Sequence, residues 1–171
     1  MRLGAGKAAN VRHGEHQPQA GSPVMEGFLV LADSGNTDQT TGKIHLLGAG
    51  WSMTGPVVPS SAVAGFLRVP WDDVKDDLTF RLRLVDADRN PVEVPLIDGK
   101  TRTVGFQGQL GIGGDRPKEG VERQVPMNLS FSLSIPPLPL TPDGVYEWIM
   151  DVGDVEVASV RFGVRPGDPG S

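Results

Sequence analysis

Two stretches of this chain alternate with a strict period of two, and that period leaves little choice of fold. Leu78, Phe80, Leu82 and Leu84 are separated by Thr79, Arg81 and Arg83. Met127, Leu129, Phe131, Leu133 and Ile135 are separated by Asn128, Ser130, Ser132 and Ser134. Successive side chains of a strand point to opposite faces, so each run predicts a strand with one apolar and one wet face. No segment carries a convincing helical period. The one helix candidate is residues 71–77, two turns at most.

Shorter apolar runs at residues 28–32, 43–49, 61–69, 92–97, 103–110, 146–152 and 158–164 read as further strands. Turn chemistry separates them: Asp33-Ser34-Gly35-Asn36, Asp86 to Pro91, a Gly-rich loop over 111–120, and Pro142-Asp143-Gly144. Gly153-Asp154 reads as a two-residue hairpin loop, and residues 92–97 as a strand pairing back on 78–84. The chain holds 23 Gly and 15 Pro in 171 residues, a mix suited to many short strands joined by turns. The expected fold is all-β: an antiparallel two-sheet sandwich of eight or nine strands, immunoglobulin-like or jelly-roll-like, over residues 25–165.

Residues 1–24 have a different composition, with almost no large apolar side chains. Such a segment cannot offset its ordering entropy by burial, so it is expected to be a flexible arm when free in solution. Arg2, Lys7 and Arg12 against Glu15 leave the arm at +2, and the rest of the chain at −7 of the net −5. Residues 166–171 read as a short tail. The acidic balance argues against nucleic acid and anionic membranes as partners. No apolar run reaches about 18 residues, so no membrane-spanning helix is expected. No apolar stretch of a secretory signal opens the chain, so the expected location is the cytoplasm or a virion. With no cysteine, disulfides, thiolate metal sites and cysteine nucleophiles are excluded.

Motifs that carry chemistry are incomplete. Gly4-Ala5-Gly6-Lys7 has neither the preceding strand nor the following Ser or Thr of a phosphate loop. Gly111-Ile112-Gly113-Gly114 opens no helix, so it lacks the dipole of a dinucleotide site. Asp86-x-Asp88-x-Asn90 departs from a calcium loop at Pro91 and Ile97, and fits a turn in which side chains cap backbone amides. Asp72, Asp73, Asp76 and Asp77 crowd one connection and are the candidate calcium ligands, with a solvated acidic loop as the plain alternative. His13 and His16 lie in the arm. A Ser-His-Asp hydrolase would have to use His45, which alternates with Ile44 and Leu46 and is placed on an outer face. No serine sits in a nucleophile elbow. Asn128-Leu129-Ser130 matches a glycosylation site, but inside a strand. No enzyme activity and no cofactor are expected.

Two surfaces suit a partner. The outward row Asn128, Ser130, Ser132 and Ser134 is uncharged and flat, a face on which another layer or chain packs. Of the three tryptophans, Trp148 belongs to the core row. Trp51 and Trp71 follow strand ends, where core packing is the default and a partner anchor the alternative.

The run Phe28-Leu29-Val30-Leu31-Ala32-Asp33, Gly42 to Gly50, Val69-Pro70-Trp71 and Pro142-Asp143-Gly144-Val145-Tyr146-Glu147 resemble a family of uncharacterised actinobacterial proteins over residues 26–165. That resemblance implies a fold and no activity. The Asp-Gly-x-Tyr corner also resembles the entry to a strand in many immunoglobulin-like sandwiches. The expectation is a non-catalytic structural or interaction subunit, joined to a protein partner or to further copies of itself. Arg2, Lys7 and Arg12 would serve in a tethering arm, as in accessory proteins that decorate viral capsids. A calcium-dependent binding module is the alternative.

Overall fold

The computed structural model describes residues 25–74, 77–111 and 120–167. The chain is all-β, with several antiparallel sheets. A three-stranded sheet has the order β1 (Glu26–Ala32), β5 (Ser61–Val69), β10 (Met127–Ile135). A five-stranded sheet has the order β4 (Met53–Thr54), β12 (Val155–Val164), β11 (Val145–Val152), β6 (Asp77–Asp86), β9 (Gly105–Gly111). Only the β4–β12 pair is parallel among the described strands. Two hairpins complete the set: β2 (Ser34–Thr37) with β3 (Ile44–Leu47), and β7 (Glu93–Pro95) with β8 (Thr101–Thr103). No helix among the described residues is long and apolar enough to cross a membrane.

The alternating runs behave as period two demands. Leu78, Phe80, Leu82 and Leu84 of β6 are buried, while Arg81 between them is exposed. Side chains from both large sheets meet in one core, where Leu31, Val63 and Leu67 join Leu82, Trp148 and Met150. Burying one such side chain stabilises the fold by about 1.5–3 kcal/mol. Phe80 of β6 stacks on Phe131 of β10, with centroids 4.3 Å apart. Gly65 lies beneath this stack, because a Cβ there would come within 2.3 Å of the Phe131 ring.

The strand count exceeds expectation: twelve strands among the described residues against eight or nine. Residues 33–36 read as a turn, yet 34–37 form β2. The turn sits further on, where Asp38 Oδ1 accepts from the Thr40 amide at 2.8 Å. The helix candidate over 71–77 is not helical at its described residues. Trp71 to Asp73 make a turn, with the Asp73 amide donating to Pro70 O at 2.9 Å, and β6 has begun by Asp77. The α-helix of the described residues is instead the single turn α1 (Val121–Gln124). Residues 93–95 pair with β8 rather than with β6. Pro91 makes the last bridge to β6, at Val85, and the Val92 amide donates to Leu84 O, after which the chain leaves the sheet. The expected flexibility of the arm falls outside the described residues.

Gly65→Ala is expected to destabilise the domain by about 1–3 kcal/mol, the usual range for overpacking a full core. The urea midpoint followed by tryptophan fluorescence measures it. Adding Phe131→Leu should recover part of the loss, because the clash is with that ring.

Candidate functional site

The outer face of the three-stranded sheet is built from the residues that alternate with the core. Register places Phe28, Phe66 and Ser130 in one row, and Glu26, Arg68 and Asn128 in the next. Further along lie Val30, Ala64 and Ser132, then Ala32, Ala62 and Ser134. The chain uses these rows in two ways.

The β2–β3 hairpin lies against the small-residue end. The Ser132 amide donates to Thr37 Oγ1 at 3.2 Å, and the Ser130 hydroxyl donates to the Gly42 carbonyl at 3.3 Å. Gly35 permits this approach, since a Cβ there would meet Ser132 Oγ at 2.2 Å. Ala62, Ala64 and Ala32 are fully buried. The serine row is therefore not one open surface. Ser132 lies against the chain's own hairpin, its hydroxyl buried without a hydrogen-bond partner among the described residues. Ser134 is exposed at the strand's far end, and Asn128 and Ser130 face a cleft.

That cleft is the other half of the face. It has a volume of about 850 Å³, with Thr41, Gly42 and Lys43 along one wall. Its floor is a pair of aromatic rings: Phe28 stacks on Phe66 with centroids 4.5 Å apart and planes 10° from parallel. Phe28 remains 54% exposed. Arg68 Nη1 pairs with Glu26 Oε2 at 3.3 Å on the rim, and Lys43 adds a second cation. The cleft thus offers apolar area, backbone polar groups and a local excess of positive charge in an acidic protein. Of its hydroxyls, that of Ser130 donates to the Gly42 carbonyl and that of Thr41 to Asp38 Oδ2 at 2.7 Å.

The other candidates are dispersed. Asp72, Asp73 and Asp77 line a hollow of about 480 Å³ with Met25, Thr79 and Val152. Asp72 is paired with Arg123, and Asp76 lies outside the described residues. No three metal-ligating side chains gather to hold an ion among the described residues. Asp86 Oδ1 accepts from the amides of Asp88 and Asn90, as a turn requires. His45 is exposed on β3 opposite Asn36. Trp71 Nε1 donates to Val125 O at 2.7 Å, and Trp51 packs edge-on against Phe162. Arg2, Lys7, Arg12, His13 and His16 lie outside the described residues.

An ionic network on the outer face of the five-stranded sheet was not foreseen. Asp151 and Glu147 of β11 are buried. Asp151 takes Arg83 Nε at 2.9 Å and Arg81 Nη2 at 3.2 Å; Glu147 takes Arg161 Nε at 3.4 Å and Arg89 Nη1 at 3.8 Å. Glu156 links Arg83 to Arg89. The Arg83 hydrogen bond, above all, holds the Asp151 carboxyl below its ordinary range, and a hydrogen bond from Ser159 leads in doing so for Glu147. The signal was present as acidic positions in β11 and basic ones in β6, but it is legible only once those strands are known to be neighbours.

These observations define an all-β domain with a cleft on the outer face of its three-stranded sheet. Residues 27–165 match DUF6941, a family of unknown function, and the chain belongs to that family. No curated protein matches the chain.

The Asp151 and Glu147 carboxyls titrate lower in the fold than in the unfolded chain, so their stabilisation is complete above about pH 5, beyond both unfolded values, and is lost as pH falls through the folded values. Thermal melts should show this acid loss, with a shallower pH slope in Asp151→Asn. At neutral pH that variant should lose about 2 kcal/mol, less than the roughly 3–5 of a fully buried pair, because Arg81 stays largely in water.

Proposed function

We propose that the chain is a non-catalytic interaction domain of immunoglobulin-like build, which holds a segment of a partner protein in the cleft over Phe28 and Phe66. The carrying observation is the stacked, half-uncovered aromatic pair. A soluble domain gains nothing from leaving a large ring in water, and aromatic anchors with a charged rim are the pattern of binding hot spots. The immunoglobulin-like reading is supported by strand order: β1-β5-β10 follows A-B-E and β6-β11-β12 follows C-F-G. It is also supported by Tyr146, whose hydroxyl accepts from the Thr141 amide at 3.0 Å at the entry to β11, in the manner of a tyrosine corner. Fold likeness alone assigns no function, so the cleft carries the argument.

Charge selects the occupant. Lys43 and Arg68 outnumber Glu26 on the cleft wall, which favours an apolar anchor flanked by acidic residues and disfavours the chain's own basic arm. Residues 1–24 join the domain at Met25, beside the Glu26–Phe28 wall. A partner held in the cleft therefore lies next to the arm's root, and the arm serves as a second attachment within the assembly.

An array of octapeptides tests this, each with a central Leu, Phe or Trp flanked by Asp/Glu, by Lys/Arg or by Gly/Ser. The labelled full chain should retain the acid-flanked members. Phe28→Ala should weaken binding at least tenfold, about 1.4 kcal/mol, and Arg68→Glu should shift the preference to basic flanks. Absence of binding, indifference to flank charge, or binding untouched by Phe28→Ala would each refute the reading.

A further inference from the structure

The five-stranded sheet ends on β9, and no described strand pairs with its outer edge. Natural sheets blunt such an edge with Lys, Pro, a bulge or a cover, since its unpaired amides and carbonyls are a template for another strand. Among the described residues β9 has no Lys, no Pro, no bulge and no further strand across that edge. Its seven residues carry no charge and no proline, and they run against β6 without a register shift, Gly105 opposite Arg83 through to Gly111 opposite Asp77.

The strand is also self-complementary. Gly105-Phe106-Gln107-Gly108-Gln109-Leu110-Gly111 reads nearly the same in both directions. An antiparallel two-fold axis through Gly108 sets Phe106 opposite Leu110 of the second copy and Gln107 opposite its Gln109. Both classes of antiparallel pair accept an axis at that position, because the two strands are then related by the pairing itself.

The side chains fit what such a pairing needs. Phe106 and Leu110 are only partly buried against the core, so each has apolar surface left at the edge for its counterpart. Gln107 and Gln109 are exposed on the other face, and their amides each supply a donor and an acceptor to the facing amide. Gly108 itself is accounted for within one copy, since a Cβ would meet the Phe80 ring at 2.7 Å.

We propose that β9 is a homodimerisation edge, pairing with β9 of a second copy about a two-fold axis at Gly108. The closed pairing consumes both open edges and joins the two five-stranded sheets into one. It shares no residue with the Phe28–Phe66 cleft, so its failure and the failure of that reading are separate events.

The test exchanges the facing amides for charges in the full chain. Gln107→Lys/Gln109→Lys sets lysine against lysine across the axis, and Gln107→Glu/Gln109→Glu sets glutamate against glutamate. Both positions are exposed, so circular dichroism should report an unchanged fold. In sedimentation equilibrium the unaltered chain should appear at twice its 18.2 kDa mass, each variant at the monomer mass, and an equimolar mixture of the two variants again at twice that mass. A monomeric unaltered chain overturns the proposal, as does a lysine variant that stays dimeric. A mixture that stays monomeric overturns the register.

Discussion

The contact of Phe80 with Phe131, which joins the two large sheets, is the constraint on which the rest of the molecule depends. The rings stack with centroids 4.3 Å apart, and the backbone behind them must be glycine at position 65. Once that stack fixes which face of β6 and of β10 is inner, period two fixes everything on the outer faces. Arg81 and Arg83 are sent out on one side. Asn128, Ser130, Ser132 and Ser134 are sent out on the other.

The two outer faces then solve the same problem differently. On the five-stranded sheet, Ile149 sits in the outward row of β11 and is nonetheless fully buried. It lies between Glu147 and Asp151 and opposite Arg83 and Ser159. Arginine stems cover apolar surface while their heads stay wet, so an ionic lattice doubles as a roof. On the three-stranded sheet the roof is the β2–β3 hairpin, which reaches only part of the face. Small residues mark the covered part, and Phe28 and Phe66 mark the part left open.

How far the sequence could be read follows from the range of the interactions involved. The long alternating strands, the Gly-Asp hairpin and the Asp86 turn are local and were legible. The short strands β2, β4 and β8 were not, because two to four residues carry no period and are strands only through their partners. Residues 71–77 looked helical for want of any other pattern, and the Pro70 carbonyl instead closes a turn. The aromatic cleft was half legible. Asn128 and Ser130 were marked as outward positions, but Phe28 belonged to a run that reads as core, and only the β1–β5 register sets it beside Phe66 on the outer face. The Asp151 and Glu147 network depends wholly on the β6–β11–β12 order, which no single strand records.

The open cleft and the open edge have physical consequences together that neither has alone. They lie on different sheets, so occupation of one leaves the other free. A particle paired through β9 presents two clefts in a fixed relation. If both engage one assembly, the second contact becomes intramolecular, with an effective concentration set by that relation rather than by bulk protein. Weak contacts then suffice. Under the proposed pairing, the two phenylalanines and few rim charges of each cleft would need to supply only part of the hold on a repeated surface.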